Sequence, residues 1–133
     1  MTRSELRENI FKIVFRVPFH ETEEMGEQEK EYISDLDEPQ KEKDIEYIKA
    51  KSSAIIDKLD EIDKLIEDAS KGWSVKRIGR AELAILRVAV YEIKFDDDIP
   101  YKVAVNEAIE LSKKYCEPEA GAFINGILSA FAE

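Results

Sequence analysis

The sequence predicts an all-α domain, on three observations. Helix formers dominate a chain with only five Gly and four Pro, the composition of an ordered helical protein. Apolar residues recur at three- and four-residue spacing in one segment after another. One stretch, Arg80 to Phe95, is apolar nearly all round, with only Glu82, Arg87 and Glu92 charged between Ala81 and Ile93. Steps of five residues set those charges roughly 140° apart, so no side of the helix is continuously polar. Such a helix needs neighbours on several sides and becomes the central post of a bundle. Each of its charges must then find a partner or a surface.

Taken in order, Ser4 is a candidate N-cap for a first helix reaching about Val17, where Pro18 stops it. Leu6, Ile10, Ile13, Val14 and Val17 share one face of it, bordered by Arg3 and Arg7, while Lys12 and Arg16 lie roughly opposite. A second helix around Glu24 to Leu36 is Glu-rich and thinly anchored, by Met25, Tyr32, Ile33 and Leu36. Pro39 sits where a further helix would take its first-turn proline. From Gln40 to about Ala69, Ile45, Ile48, Ser52, Ile55, Leu59, Ile62 and Ile66 predict one long amphipathic helix lying on a core. Lys71-Gly72 ends it. Trp73, the only tryptophan, is expected as a hydrophobic plug between two halves of the bundle, ahead of a short turn that Ser74 caps. After the central helix, Asp98 before Ile99-Pro100 suits the start of a helix running to about Tyr115. Pro118 opens the last helix, with Ala120, Phe123, Ile124, Ile127, Leu128 and Phe131 inward. Gly126 within it costs roughly 1 kcal/mol against Ala, which predicts close approach of another helix there.

At 133 residues the chain is one domain by size. No run approaches a membrane span, the N-terminus lacks a signal peptide's apolar core, and a lone cysteine fits a reducing compartment. The expectation is a cytoplasmic protein with no membrane contact. The net charge of −10 is uneven. Residues 1–20 carry +2, residues 21–68 carry −11, and residues 69–133 carry −1. A polyanion should avoid the middle, while the ends leave room for one anion-binding face.

The catalytic inventory is nearly empty. With one His (His20) and one Cys (Cys116), a nucleophile pair exists only if the fold unites distant positions. There is no phosphate loop, zinc spacing or cofactor motif, and Asp96-Asp97-Asp98 lacks the further ligands of a calcium loop. The expectation is no enzyme, no metal and no cofactor. An interaction protein remains. Tyr115 and Phe123 flank the Cys116–Ala122 connection, and with Lys113, Lys114 and the Arg3/Arg7 helix they would suit single-stranded nucleic acid. The alternatives are a solvated rim for the basic residues and a core position for Phe123.

Three blocks carry a resemblance: A-I-L-R-V-A-V-Y-E (84–92), I-P-Y-K-V-A-V-N-E-A-I-E-L-S-K (99–113) and F-I-N-G-I-L (123–128). In this order they resemble the C-terminal signature of the NusB family of transcription antitermination factors. Trp73 with Arg77, and L-R-E-N-I-F-K-I-V-F (6–15), are similar to the family's linker and first helix. The resemblance implies about seven helices in two packed subdomains, with halves of about 1–70 and 71–133. It implies binding of boxA-type single-stranded RNA together with the ribosomal small-subunit protein NusE, within the RNA polymerase antitermination complex on ribosomal-RNA operons. Carried onto this chain, it makes Arg3, Arg7 and Lys12 the basic RNA-binding residues and Tyr115 and Phe123 the base-facing aromatics. Glu119 becomes a loop charge that tempers affinity, and Glu82 and Phe15 face NusE. Arg3-Ser4-Glu5 replaces the family's run of arginines, and Lys12 stands where glutamine is usual, which implies weaker RNA binding without the partner. Two other readings stay open. One is an accessory RNA-binding domain of the kind attached to ribosomal-RNA methyltransferases. The other is a structural helical oligomer, for which a homodimer that hides Phe15 and Glu82 would be the sign.

Overall fold

The first helix begins two residues earlier than its sequence signal suggested. In the computed structural model, which describes residues 1–36 and 41–132, α1 (Arg3–Val14) is capped by Thr2 and not by Ser4. The Thr2 hydroxyl accepts the Glu5 N–H at 3.1 Å, and the Glu5 carboxylate accepts the Thr2 N–H at 2.8 Å. Moving the cap back puts Glu5 at the third helical position, where a reciprocal capping box needs it. Those hydrogen bonds hold the Glu5 carboxyl below its ordinary pKa. The helix ends at Val14, where Pro18 has no N–H to give the Val14 carbonyl, and Val17-Pro18-Phe19 forms a separate 3-10 turn.

After a 3-10 turn at Thr22–Glu24 come α2 (Met25–Ser34), α3 (Glu42–Asp57), α4 (Leu59–Ala69), α5 (Arg80–Phe95), α6 (Tyr101–Tyr115) and α7 (Ala120–Leu128). Further 3-10 turns cover Val75–Arg77 and Ser129–Phe131. These seven helices and short turns, with no strand among the described residues, make the fold all-α. The expected helix start at Pro39 lies outside the described residues.

The long helix expected over 40–69 is two helices. Lys58, at φ −103° and ψ 15°, breaks it, and the chain divides there into two compact units, Met1–Asp57 and Lys58–Glu133. No Gly or Pro marks the break. The physical reason is that the two parts of one apolar stripe serve different cores: α3 packs on α1 in the first unit, and α4 packs on α5 in the second.

In the first unit, Ile10, Phe11, Ile13 and Val14 of α1 are buried, as are Met25 of α2 and Ile48, Ser52, Ile55 and Ile56 of α3. Each such aliphatic side chain is worth about 1.5–3 kcal/mol on burial. Ser52 donates to the Ile48 carbonyl at 2.8 Å, which satisfies the one hydroxyl in that stripe. The terminal ammonium of Met1 pairs with Asp44 at 2.9 Å and holds the start of the chain on α3.

In the second unit, every residue of α5 from Leu83 to Val90 is buried, against α4, α6 and α7. The central post stands as its composition predicted. Arg87 finds a partner on α4: its Nε and Nη2 each donate to Asp63 at 2.8 Å. Glu92 is 1% exposed. Pro100, not Asp98, occupies the cap position of α6, and the Asp98 N–H instead donates to the Asp96 side chain at 3.1 Å in a local turn. The Tyr101 hydroxyl donates to the Leu128 carbonyl at 3.1 Å, tying the start of α6 to the end of α7. The close approach expected at Gly126 occurs elsewhere. A Cβ at Gly126 would meet no described atom within 4 Å, whereas one at Gly121 would touch the Ser112 hydroxyl at 3.5 Å.

Candidate nucleic-acid interface

Four of the sequence-predicted site residues lie on or just after α1. Arg3 and Lys12 are exposed. Arg7 is only 5% exposed, because the capped helix turns it onto the apolar side beside Phe11. Phe15 is half-buried in a run of aromatic rings. Its ring centroid is 6.2 Å from that of Phe11 and 5.8 Å from that of Phe19, and Phe19 is itself 51% exposed. Arg16 is taken up locally: it donates to the Gln28 side chain at 3.0 Å and lies over the Tyr32 ring, 5.3 Å from the centroid. The Tyr32 hydroxyl donates to Asn9, and burial raises the tyrosine's pKa.

The other four, Glu82, Tyr115, Glu119 and Phe123, belong to the second unit. Three of them line one cleft of about 330 Å³, with Trp73, Arg77, Ile78, Gly79, Glu117 and Ala120. Trp73 overturns its expected role as a plug, being 52% exposed. Its ring meets that of Phe123 edge-on, with centroids 6.1 Å apart and planes at 62°. The reason lies just before it, where Lys71 (φ 56°) and Gly72 (φ 100°) are both left-handed. Two such residues in succession reverse the chain, and the next side chain is presented outward. Lys71-Gly72 was the available signal, read correctly as a helix stop but not as a device that aims Trp73.

Glu82 is the third helical residue of α5, and its carboxylate fills the space a side chain at Gly79 would need. It also reaches the Cys116 thiol. Burial first, then hydrogen bonding and charge from Glu82, push that thiol's pKa up to about 12. Cys116 is therefore a protonated packing residue at neutral pH. Tyr115 is half-buried at the last turn of α6, with the Lys114 ammonium 5.6 Å from its ring centroid, and it does not line the cleft. Glu119 is exposed at the entry to α7. A second groove, of about 730 Å³, runs along α6 and α7 past Asn106, Lys113, Cys116 and Asn125. Among the described residues no cluster of three or more His, Cys, Asp or Glu is placed to hold a metal ion, and no helix is long and apolar enough to cross a membrane.

The chain is an all-helical protein with exposed cations on its first helix and, in its second unit, an aromatic pair rimmed by carboxylates. Residues 4–133 match the NusB family, and the chain belongs to that family. It is 52% identical over 132 residues to the transcription antitermination protein NusB of Agathobacter rectalis, covering 99% of this chain and 100% of that one. To the same protein of Lachnoclostridium phytofermentans it is 46% identical, covering 97% of each chain. Among solved structures it is similar to T. maritima NusB, with a TM-score of 0.85, 32% identity, and 99% of this chain and 91% of that chain covered. It is also similar to a chain in the structure of antitermination factors NusB and NusE in complex with dsRNA, with a TM-score of 0.84, 30% identity, and 98% and 97% covered. Membership places the chain among transcription antitermination factors and not among enzymes.

Proposed function

We propose that this protein binds boxA-type single-stranded RNA together with NusE, and so promotes antiterminated transcription of ribosomal-RNA operons within the RNA polymerase complex in the cytoplasm. The observation that carries the reading is the full-length likeness to a relative solved with NusE and RNA. In this reading Arg3 and Lys12 reach phosphates. Arg7, nearly buried, adds charge at the same helix more than an outstretched contact. Tyr115 and Phe123 take bases. Glu119 at the entry to α7 weakens the attraction for phosphate, and Glu82 and Phe15 meet NusE.

The acidity of residues 21–68 and the few cations on α1 support modest binding by the free protein. Each phosphate contact to a single strand contributes roughly 0.7 to the salt slope, so two or three contacts give a shallow one. The test is a titration of boxA RNA with and without NusE at two salt concentrations. Weak binding alone and tighter binding with NusE is the expected result. No preference for boxA over a scrambled strand, even with NusE present, refutes it. Sedimentation of the free protein decides the homodimer reading: a stable dimer that NusE cannot dissociate counts against the proposal.

A further inference from the structure

We propose that Trp73 is a base-stacking residue, forming with Phe123 one aromatic platform that receives a single nucleobase of the bound strand. The proposal deepens the RNA-binding reading above and rests on it. Tryptophan is highly buried on average, so an indole left 52% exposed calls for a reason. Here the exposure is imposed by the backbone. Lys71 and Gly72 reverse the chain before it, and the Ser70 hydroxyl donates to the Trp73 carbonyl at 2.9 Å. Ser74 then caps the next turn by accepting the Lys76 N–H at 3.2 Å. Ile78, 6% exposed, anchors the far end of that turn. The ring is held outward by a constrained segment, with its edge-on contact to Phe123 fixing its orientation. A preorganised aromatic face binds a base with little ordering cost.

The rim decides what enters. Glu117 and Glu119 line the cleft with one cation, Arg77, while the Glu82 carboxylate, the one given to NusE, is turned toward Gly79 and Cys116 at the cleft's α5 side. The carboxylates repel phosphate, so the backbone of the strand stays outside and only a base enters. A carboxylate can only accept hydrogen bonds. The cleft therefore favours bases with exocyclic amino donors, cytosine, adenine or guanine, over uracil, whose one edge donor, N3–H, lies between two carbonyls that would face like acceptors. Arg77 on the same rim suits the phosphate beside the stacked base, outside the cleft.

The chain has a single tryptophan, so intrinsic fluorescence reads this site alone. Titration of the full-length protein, with and without NusE, with single-stranded RNA should quench Trp73, and oligocytidine should quench it at lower concentration than oligouridine. By anisotropy of labelled RNA, Trp73→Ala should weaken binding roughly 5- to 150-fold, the range for one stacked base. Trp73→Phe, which keeps a π-face, should lose less, and NusE affinity should be unchanged in both variants. Wild-type RNA affinity retained in Trp73→Ala overturns the proposal while leaving the RNA-binding reading intact. Loss of NusE binding with RNA affinity preserved also overturns it and makes the cleft a protein-docking site. Equal affinity for cytidine and uridine strands overturns the role given to the rim carboxylates. Absence of RNA binding by the wild-type protein, with or without NusE, overturns the broader reading and this one with it.

Discussion

Replacing Asp63 with alanine should destabilise the second unit by about 3 kcal/mol. The side chain of Arg87 is 7% exposed and that of Asp63 18%, and the two are joined by parallel hydrogen bonds of 2.8 Å each. Removing the carboxylate leaves a guanidinium sequestered on the central helix with two donors unmatched. Breaking a buried pair in this way costs about 3–5 kcal/mol. Asp63 is not fully enclosed and water can reach part of the vacated space, which sets the expectation at the lower end. With a urea slope of roughly 1–3 kcal/mol per molar, the unfolding midpoint falls by roughly 1–3 M. The assay is urea unfolding at neutral pH followed by far-UV circular dichroism and by Trp73 fluorescence, which reports on the same unit. The companion variant Arg87→Met/Asp63→Leu removes both charges and should recover most of the loss, since apolar groups of similar size often replace a buried pair without penalty. A loss below about 1 kcal/mol for Asp63→Ala would show that the pair is solvated and that its geometry carries little energy. A double variant as unstable as the single would refute the unpaired-charge explanation.

Cys116, with a pKa pushed up to about 12 by burial and Glu82, should react with a thiol reagent at neutral pH on the order of a thousandfold more slowly than a free cysteine of pKa about 8.5. Glu82→Gln, by removing a carboxylate that resists thiolate formation, should speed that labelling. Glu29 is a buried carboxyl whose pKa is raised chiefly by burial, although hydrogen bonds from Ser53 at 2.9 and 3.1 Å oppose the rise. The folded protein therefore binds this proton more tightly than the unfolded chain, and ionisation of Glu29 lowers stability as pH rises through its folded pKa. Glu29→Gln should accordingly resist urea better than wild type at pH 7, with the advantage vanishing below the ordinary carboxylate pKa of 4.5. Two glycines should respond with opposite signs in the same unfolding assay. Gly72→Ala forces an alanine to φ 100° and should lose roughly 1–2 kcal/mol, whereas Gly126→Ala, in an exposed helical turn with open space around it, should gain up to about 1 kcal/mol.

Helix content, the buried stripe of α1 and the role of α5 were legible in the chain, because three-and-four periodicity is a local property and burial follows it. The charges on α5 were recognised as needing partners, but Asp63, 24 residues away in sequence, was not identifiable. Pairing is a matter of which helices meet. The cap of α1 was misplaced by two residues because Thr2 and Ser4 are both good caps, and the choice fell to the position of Glu5. Of the candidate site, Phe123 was singled out by its place beside the Cys116–Ala122 connection, Glu82 and Glu119 by resemblance alone, and the structure gathers the three in one cleft. Trp73, which completes that cleft, was assigned to the interior on hydrophobicity.

By itself the sequence determined an all-helical chain with an apolar central helix and an acidic middle, since composition, period and charge are written residue by residue. The tertiary structure decided three things that no window of residues contains. It divided one continuous apolar stripe at Lys58 between two cores. It satisfied Arg87 from α4. It turned Trp73 out to solvent through two left-handed residues. Each depends on which surfaces meet after folding, and an indole or a guanidinium has the same local signature whether it ends in a core, an ion pair or a cleft.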